Sequence, residues 1–229
     1  MARIYIIAEA GVNHNGSLEL ARGLIDLAAE AGADAVKFQT FIAEEVVSRF
    51  APKASYQIQN TTDGESQLEM IRRLELGEDQ HWELLKYCKS KGIDFISSPF
   101  DLESVDLLVH RLELSRLKVA SGEITNAPLL LKIARAGVEV ILSTGMSSLG
   151  EIETALSVLA FGYSERMGKP SVRAFRRSYL SPEGQRALKE KVTLLHCTSE
   201  YPAPYQDINL LSMETLRQAF GLKVGYSDH

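Results

Sequence analysis

The sequence has few of the features that mark metal-thiolate or nucleic-acid-binding proteins. Cysteine occurs only twice in 229 residues, at Cys88 and Cys197, far apart and without metal-binding spacing. Buried free thiols in a reducing compartment are the simpler interpretation. The formal charge of −5 offers no general attraction to nucleic acids or anionic membranes, so we expect neither as a partner.

Long apolar runs and targeting segments are also missing. No run approaches the roughly 20 residues that cross a bilayer. The stretch from Met1 to Gly11 contains an arginine and Glu9 within a short apolar segment, which is unlike a secretory signal peptide. We therefore expect a cytoplasmic protein. A composition of 45% hydrophobic and 24% charged residues is that of an ordinary globular domain.

Short apolar runs alternate with helical patterns along the chain. The runs predict β-strands at 4–10, 35–41, 94–100, 117–121, 139–145, 192–198 and 222–226. Such alternation requires parallel pairing, because each helix returns the chain to the starting edge. Polar strand ends and the absence of a Gly-x-Gly-x-x-Gly fingerprint favour a TIM (β/α)8-type barrel over a doubly wound sheet. We expect one domain over residues 1–229, an incomplete barrel truncated after about the seventh strand.

Helix signals separate the predicted strands. Ser17 is a plausible N-cap of the first helix and Gly32 its stop. Further helices are predicted at 67–74, 79–90, 102–111, 127–136, 149–160 and 213–220, with a polar loop at 51–65. Residues 161–191 interrupt the alternation of strands and helices and contain eight basic and three acidic residues. Within this segment, Ser181-Pro182 predicts a helix start. We expect a solvated insertion or an oligomer contact there.

Lysines within apolar strands are the first candidates for chemistry. Alternate strand residues share a face, so Lys37 and Gln39 point the same way. A lysine on a barrel strand faces either the central cavity or the helix layer, where burial of its charge is costly. Lys118 has the same position in the fourth predicted strand. Either lysine alone fits a snorkelling surface residue, but the two together favour an anion site.

Hydroxyl groups surround these lysines at the predicted strand ends. They occur in Ser97-Ser98, Ser121-Gly122 and Ser143-Thr144-Gly145. One Ser-Gly pair indicates only a turn, whereas backbone N–H groups beside glycine can also bind phosphate. Together with the two lysines, these stretches predict a pocket for a phosphate or a phosphorylated carboxylate.

Carboxylates and histidines add further candidates. Glu9 and Glu123 follow strands, where a carboxylate can move a proton, bind sugar hydroxyls or pair with a lysine. His14 fits either a turn or a ligand contact. His196 and His229 end the sixth and seventh predicted strands, but the absence of a His-x-His pair leaves metal binding open.

Stretches throughout the chain resemble the sialic acid synthase family, the phosphoenolpyruvate-dependent synthases of N-acetylneuraminate, legionaminate and pseudaminate. The matching stretches are 7–16 (IAEAGVNHNG), 36–40 (VKFQT), 95–100 (FISSPF), 118–123 (KVASGE), 142–146 (LSTGM), 196–202 (HCTSEYP) and 225–229 (GYSDH).

The resemblance implies a transferase that condenses phosphoenolpyruvate with N-acetylmannosamine or a related 2,4-diacetamido hexose and releases phosphate. A divalent metal, Mn²⁺ or Mg²⁺, is implied to polarise the aldehyde. By motif, the implied phosphoenolpyruvate-binding residues are Lys37, Ser98, Lys118, Ser121 and Ser143. Glu9 is implied near the reacting carbons, with Lys37 and Lys118 as its catalytic partners. Gln39, Glu123 and Tyr201 are the implied sugar contacts, Ser227 a further substrate contact, and His229 one of two metal ligands.

The resemblance also implies parts that lie outside residues 1–229. Members of the family carry the second metal-binding histidine on the next strand, followed by an antifreeze-like domain through which they form homodimers. Ser199 stands where N-acetylneuraminate synthases often have asparagine, which leaves the acceptor sugar open. Alternatives are a Schiff-base aldolase that uses Lys118 and a non-catalytic remnant that only binds phosphoenolpyruvate.

Overall fold

The computed structural model describes residues 3–51 and 66–229. Apart from its first residue, the predicted polar loop at 51–65 lies outside the described residues. The chain divides into two compact units, Met1–Glu113 and Leu114–His229. No helix in the described ranges is both long and apolar enough to cross a membrane.

The first unit contains a three-stranded parallel sheet. Its strands are β1 (Ile7–Gly11), β2 (Ala35–Thr40) and β3 (Asp94–Pro99), paired in that order. Its helices are α1 (Leu18–Glu30), α2 (Ala43–Val46), α3 (Gln67–Arg72), α4 (Glu78–Lys91) and α5 (Leu102–Asp106), which continues as a π-helical turn over Leu107–Arg111.

The second unit contains a four-stranded parallel sheet. Its strands are β4 (Arg116–Val119), β5 (Glu139–Ser143), β6 (Val192–His196) and β7 (Lys223–Tyr226), again paired in chain order. Its helices are α6 (Ala127–Ala136), α7 (Leu149–Ser164), α8 (Val172–Leu180), α9 (Pro182–Lys191) and α10 (Ser212–Phe220), with single 3₁₀ turns at Ser121–Glu123 and Tyr205–Asp207. The predicted parallel pairing is confirmed in both units.

Serine side chains begin several of the helices. Ser17 accepts a hydrogen bond from the Leu20 backbone N–H at 3.3 Å, which confirms it as the N-cap of α1. Ser181 caps α9 ahead of Pro182, also as predicted. These oxygens satisfy amide donors that have no partner within the helix.

The two faces of β2 differ in chemistry. Val36 and Phe38 are buried, and the Phe38 ring stacks on Phe95 of β3 with centroids 5.4 Å apart. We call this the helix face, because Thr40 of β2 and Phe95 of β3 contact His81 of α4 there. Lys37 and Gln39 alternate with them on the opposite face, the lysine face. Burial of an aromatic side chain such as Phe38 contributes roughly 1.5–3 kcal/mol, so the helix face fixes the orientation of the lysine face.

The basic segment at 161–191 is more ordered than a solvated insertion. Residues 172–180 and 182–191 form α8 and α9, and Phe175 packs edge-on against Phe161 of α7 with ring centroids 5.2 Å apart. Ala174 and Leu188 are buried. The segment therefore buries an apolar side against α7, while much of it remains exposed to solvent as expected. An oligomer contact there stays a prediction.

Strand ends differ from the predicted ones. The first strand starts at Ile7 rather than Ile4, because Ile4 and Ile6 are 79% and 55% exposed. The fourth strand ends at Val119, because Ser121–Glu123 turn into a 3₁₀ helix. Residues that follow the strands are thus placed on short turns, where their side chains can be presented to a ligand.

Candidate active site

Four of the candidate residues gather on one side of the sheet in the first unit. Lys37 Nζ lies 2.5 Å from Glu9 Oε2, and the two residues are direct neighbours in the β1–β2 register. Gln39 is paired in the same way with Ser98 of β3. The lysine side chain is 14% exposed and the glutamate 48%, so the ion pair lies at the edge of the buried region. The predicted common orientation of Lys37 and Gln39 agrees with this arrangement.

Gly11 lies beside the Glu9 carboxylate and the Gln39 side-chain amide. The register of β1 shifts between Glu9 and Gly11, and Gly11 has a φ of +55°. A Cβ atom at this position would lie 2.9 Å from Glu9 Oε1 and 3.8 Å from Gln39 Nε2. A side chain here would therefore be strained and would displace the Glu9 carboxylate. The glycine therefore leaves room beside the backbone for both polar groups.

The buried hydroxyl group of Ser98 differs from that of the serine before it. The residue is 2% exposed, and its Oγ makes no hydrogen bond to the described residues. A buried hydroxyl left in this state costs roughly 1–3 kcal/mol. Ser97, the preceding residue, is equally buried but lies 2.6 Å from the Thr40 hydroxyl. The unpaired hydroxyl is thus the one beside Gln39, where a ligand would satisfy it.

Lys118 of the second unit is buried in an apolar strand. It is 6% exposed between Leu117 and Val119, and its Nζ donates to the Val119 carbonyl at 3.2 Å. In the register of β4 and β5 it is paired with Ile141, which shares a face with the buried Ser143 two residues later. The ammonium group and the Ser143 hydroxyl therefore lie on the same face of this sheet.

Ser121 and Glu123 lie on the 3₁₀ turn that follows β4. The Glu123 carboxylate accepts a hydrogen bond from the Asn126 side-chain amide at 2.8 Å. Asn126 in turn caps α6 by accepting from the Leu129 N–H at 3.2 Å. The helix start thereby holds Glu123 in place, half-buried at the end of the strand.

Tyr201, Ser227 and His229 form a third group. The Tyr201 and His229 rings stack with centroids 3.9 Å apart, and the tyrosine hydroxyl lies 2.9 Å from His229 Nε2. Ser227 Oγ lies 3.4 Å from the same nitrogen. A backbone hydrogen bond also joins the segment after β6 to the residues after β7, because the Ala203 N–H donates to the His229 carbonyl at 2.9 Å. The three predicted residues are therefore close neighbours.

This group does not by itself make a metal centre. Its donors are one imidazole and two hydroxyls, whereas Mg²⁺ prefers several oxygen ligands with carboxylates among them. Within 3–51 and 66–229, no three His, Cys, Asp or Glu residues lie close enough to hold a metal ion. His229 can supply one ligand and the described residues supply no complete set.

The other two candidate histidines have structural partners. His14 is fully buried, and its Nδ1 accepts a hydrogen bond from the Gly16 N–H at 3.0 Å, which fits the turn interpretation. Its Nε2 makes no hydrogen bond to the described residues, so a ligand contact stays a prediction. His196 Nε2 lies 2.6 Å from the Ile208 carbonyl, and its ring packs near Tyr226. Both rings stabilise loops that follow strands.

A buried network centred on His81 was not predicted. His81 of α4 contacts the Thr40 hydroxyl at 2.8 Å, although 41 residues separate them in the chain. No motif links the two positions in the sequence. The predicted sharing of one cavity by Lys37 and Lys118 concerns residues of different units and stays a prediction.

Comparisons with known proteins agree with the fold and the motifs. The family model described as "NeuB family" matches residues 24–229. An N,N'-diacetyllegionaminic acid synthase from Campylobacter jejuni is 50% identical over 229 residues, 100% of this chain and 61% of that protein. A protein of the same name from Legionella pneumophila is 45% identical over 225 residues, 98% of this chain and 57% of its own length.

A solved structure shows the same fold. The N-acetylneuraminic acid synthetase of Leptospira borgpetersenii matches with a TM-score of 0.75 and 34% identity, over 100% of this chain and 66% of that one. This confirms the predicted TIM-barrel-type α/β fold class for the part that the chain covers. The chain spans about 60% of the length of the curated relatives it matches. The chain belongs to the NeuB family.

Proposed function

We propose that the protein condenses phosphoenolpyruvate with an N-acetylated amino sugar to form a nonulosonate, with release of phosphate. The observation that carries the proposal is the arrangement on the lysine face. The largely buried Lys37 ammonium lies beside the Glu9 carboxylate, and the neighbouring strand β3 carries the Ser98 hydroxyl, which has no hydrogen-bond partner in the described part of the chain. Membership of the NeuB family supports the same reaction.

The reaction joins two carbon atoms and breaks one carbon–oxygen bond. Carbon 3 of phosphoenolpyruvate attacks the aldehyde carbon of the open-chain sugar, and the aldehyde oxygen takes up a proton. Water adds to carbon 2 and loses a proton, after which the bond between carbon 2 and the phosphate oxygen breaks. Phosphate leaves with the electron pair, and the hydroxyl on carbon 2 gives up its proton, to the departing phosphate or to solvent, as carbon 2 becomes a ketone.

Phosphoenolpyruvate carries a phosphate and a carboxylate, so its site needs cations and hydrogen-bond donors. In our proposal Lys37 and Lys118 supply the cations, and the hydroxyls of Ser98, Ser121 and Ser143 supply donors. The burial of Lys118 and Ser143 on one face of the same sheet supports this assignment, because a single small ligand on that face could contact both groups.

Glu9 is the candidate for proton transfer. Its carboxylate is 48% exposed and lies 2.5 Å from Lys37 Nζ, so it can reach both a ligand and a cation. We assign it to the water that attacks carbon 2, because a carboxylate close to the reacting carbons can accept that proton. Lys37 holds the carboxylate in place through the ion pair.

The acceptor is proposed to be a 2,4-diacetamido hexose rather than N-acetylmannosamine. The relatives at 50% and 45% identity are both named for N,N'-diacetyllegionaminic acid, which carries two acetamido groups. Gln39, Glu123 and Tyr201 are the proposed sugar contacts, since amide, carboxylate and phenol groups all bond to hydroxyl or amide groups. The hydroxyls of Ser227 and Tyr201 both lie close to His229 Nε2, so Ser227 is included among the proposed substrate contacts.

The proposal includes Mn²⁺ or Mg²⁺ with His229 as one ligand. Such an ion would polarise the aldehyde oxygen, and no other step depends on it. A homodimer and a cytoplasmic location also stay predictions.

Phosphate release by the full-length protein tests the proposal. Phosphoenolpyruvate, Mn²⁺ and a panel of hexosamines are supplied, and the nine-carbon product is identified by mass spectrometry. We expect release with a 2,4-diacetamido hexose in preference to N-acetylmannosamine, and a loss of about 100-fold in Lys37→Met, a figure typical of removing one charged donor at a reacting site. Lys89→Met, at an exposed position on α4, is the matched control.

Two outcomes would contradict the proposal. Phosphate release that needs no sugar, or none with any hexosamine, would remove the condensation. Labelling of Lys118 by borohydride in the presence of pyruvate would instead identify a Schiff-base aldolase.

A further inference from the structure

A chain of buried hydrogen bonds connects α4 to the ends of β2 and β3. His81 Nδ1 lies 2.9 Å from the Gly77 carbonyl, and His81 Nε2 lies 2.8 Å from Thr40 Oγ1. Thr40 Oγ1 lies 2.6 Å from Ser97 Oγ. His81, Thr40 and Ser97 are 0%, 3% and 0% exposed. We call this set the His81 network.

The direction of every bond in the His81 network follows from one acceptor. The Gly77 carbonyl can only accept, so His81 Nδ1 carries the hydrogen. In a neutral imidazole Nε2 is then the acceptor, and the Thr40 hydroxyl donates to it. The Thr40 oxygen is left to accept from the Ser97 hydroxyl. A buried network of this kind has one arrangement of protons, which makes it stiff.

The network lies directly behind the candidate site. Thr40 and Ser97 are on the helix face, and their chain neighbours Gln39 and Ser98 are on the lysine face. Gln39 and Ser98 are themselves paired in the β2–β3 register. Any shift of Thr40 relative to Ser97 therefore moves the two site residues relative to each other.

The side-chain bonds add to the backbone ladder at this end of the sheet. Thr40 is paired with Pro99, and the Thr40 carbonyl accepts a hydrogen bond from the Phe100 N–H at 3.1 Å. The bond from His81 of α4 fixes the Thr40 side chain as well. The Phe95 ring packs edge-on to His81 with centroids 6.4 Å apart and limits rotation of the imidazole.

We propose that His81 is a positioning residue for the active site, which acts through Thr40 and Ser97 to hold Gln39 and Ser98 in the geometry that binds substrate. The proposal rests on the proposed function above. His81 touches no substrate in it. Its effect is on the relative placement of two strand ends, where a displacement of about 1 Å can cost up to roughly 100-fold in rate.

Two variants of Thr40 separate positioning from packing. Thr40→Val keeps the shape and removes the hydroxyl, whereas Thr40→Ser keeps the hydroxyl and removes a methyl group. We expect Thr40→Val to lower kcat/KM for phosphoenolpyruvate by about 10-fold in folded protein, through both kcat and KM. Thr40→Ser is expected to stay within about 2-fold of wild type, well below that loss. A purely structural role predicts lower melting temperatures with unchanged kinetic constants, and that result would overturn the proposal.

NMR provides a test that does not depend on turnover. Full-length protein labelled with ¹⁵N-histidine should show His81 with the hydrogen on Nδ1, and the signal should change in Ser97→Ala. A hydrogen on Nε2 would refute the network. If the wild-type protein makes no nonulosonate, the proposed function fails, while this spectrum and calorimetric titration of the variants with phosphoenolpyruvate still decide the role of His81. Should Thr40→Val not fold, Ser97→Ala replaces it in the kinetic comparison.

Discussion

Two adjacent serines with opposite surroundings allow a sharp test of the candidate site. Ser97 and Ser98 are 0% and 2% exposed, but among residues 3–51 and 66–229 the Ser97 hydroxyl has a hydrogen-bond partner and the Ser98 hydroxyl has none. Ser98→Ala removes a buried hydroxyl that costs roughly 1–3 kcal/mol when unsatisfied, so we expect the free protein to become more stable by about 1 kcal/mol. Ser97→Ala breaks a buried hydrogen bond and should lower stability by roughly 0.5–1.5 kcal/mol.

The same Ser98 substitution should weaken substrate binding. A hydrogen bond to a charged group contributes roughly 1.5–3 kcal/mol, which corresponds to a loss of about 10- to 150-fold in affinity. Urea unfolding without ligand measures stability, and calorimetric titration with phosphoenolpyruvate measures affinity. The combination of greater stability and weaker binding is the expected signature of a hydroxyl kept for a ligand.

Either of two results would refute this reasoning. If Ser98→Ala destabilises the protein as much as Ser97→Ala does, the Ser98 hydroxyl has a partner in the folded protein. If phosphoenolpyruvate binds Ser98→Ala as tightly as wild type, the hydroxyl does not contact it.

Three further predictions concern stability and reactivity. Gly16 and Gly32 share a φ of +76°, but a Cβ would lie 2.3 Å from the Arg73 carbonyl at Gly16 and meet nothing within 4 Å at Gly32. In urea unfolding Gly16→Ala should therefore cost at least about 1 kcal/mol more than Gly32→Ala, and equal losses would contradict the close approach. Burial raises the pKa of the Cys88 thiol to about 12, so thiol reagents at neutral pH should modify Cys88 only after unfolding, as mass spectrometry would show. Burial lowers the pKa of His81 below its usual 6.5, so its contribution to stability is complete above pH 6.5 and is lost as the pH falls. His81→Gln should remove up to about 1.4 kcal/mol per pH unit from the acid slope of the unfolding free energy, and an unchanged slope would contradict the neutral imidazole.

The sequence predicted the strands well because their apolar runs are short and separated by clear helix signals. The alternation in β2 also placed Lys37 and Gln39 on one face, since a strand has a fixed period of two. Capping by Ser17 and Ser181 was predictable for a similar reason, because it depends on neighbours in the chain.

Other features depend on contacts between distant residues and could not be read from one sequence. His81 and Thr40 meet only once α4 packs on β2. The strand predicted to begin at Ile4 begins at Ile7, because hydrophobicity alone does not tell whether a neighbouring strand is present. The helix predicted at 102–111 widens into a π turn from Leu107, for which the sequence carries no signal that we recognise.

Substitutions on the two faces of β2 are expected to have different effects. Changes at Val36 or Phe38 remove buried contacts and reduce the amount of protein that folds, whatever substrate is present. If the proposed function holds, changes at Lys37 or Gln39 leave the interior packing in place and alter what the protein can bind. Selection for a new ligand would then act on every second residue of this strand, while selection for the amount of folded protein would act on the residues between them.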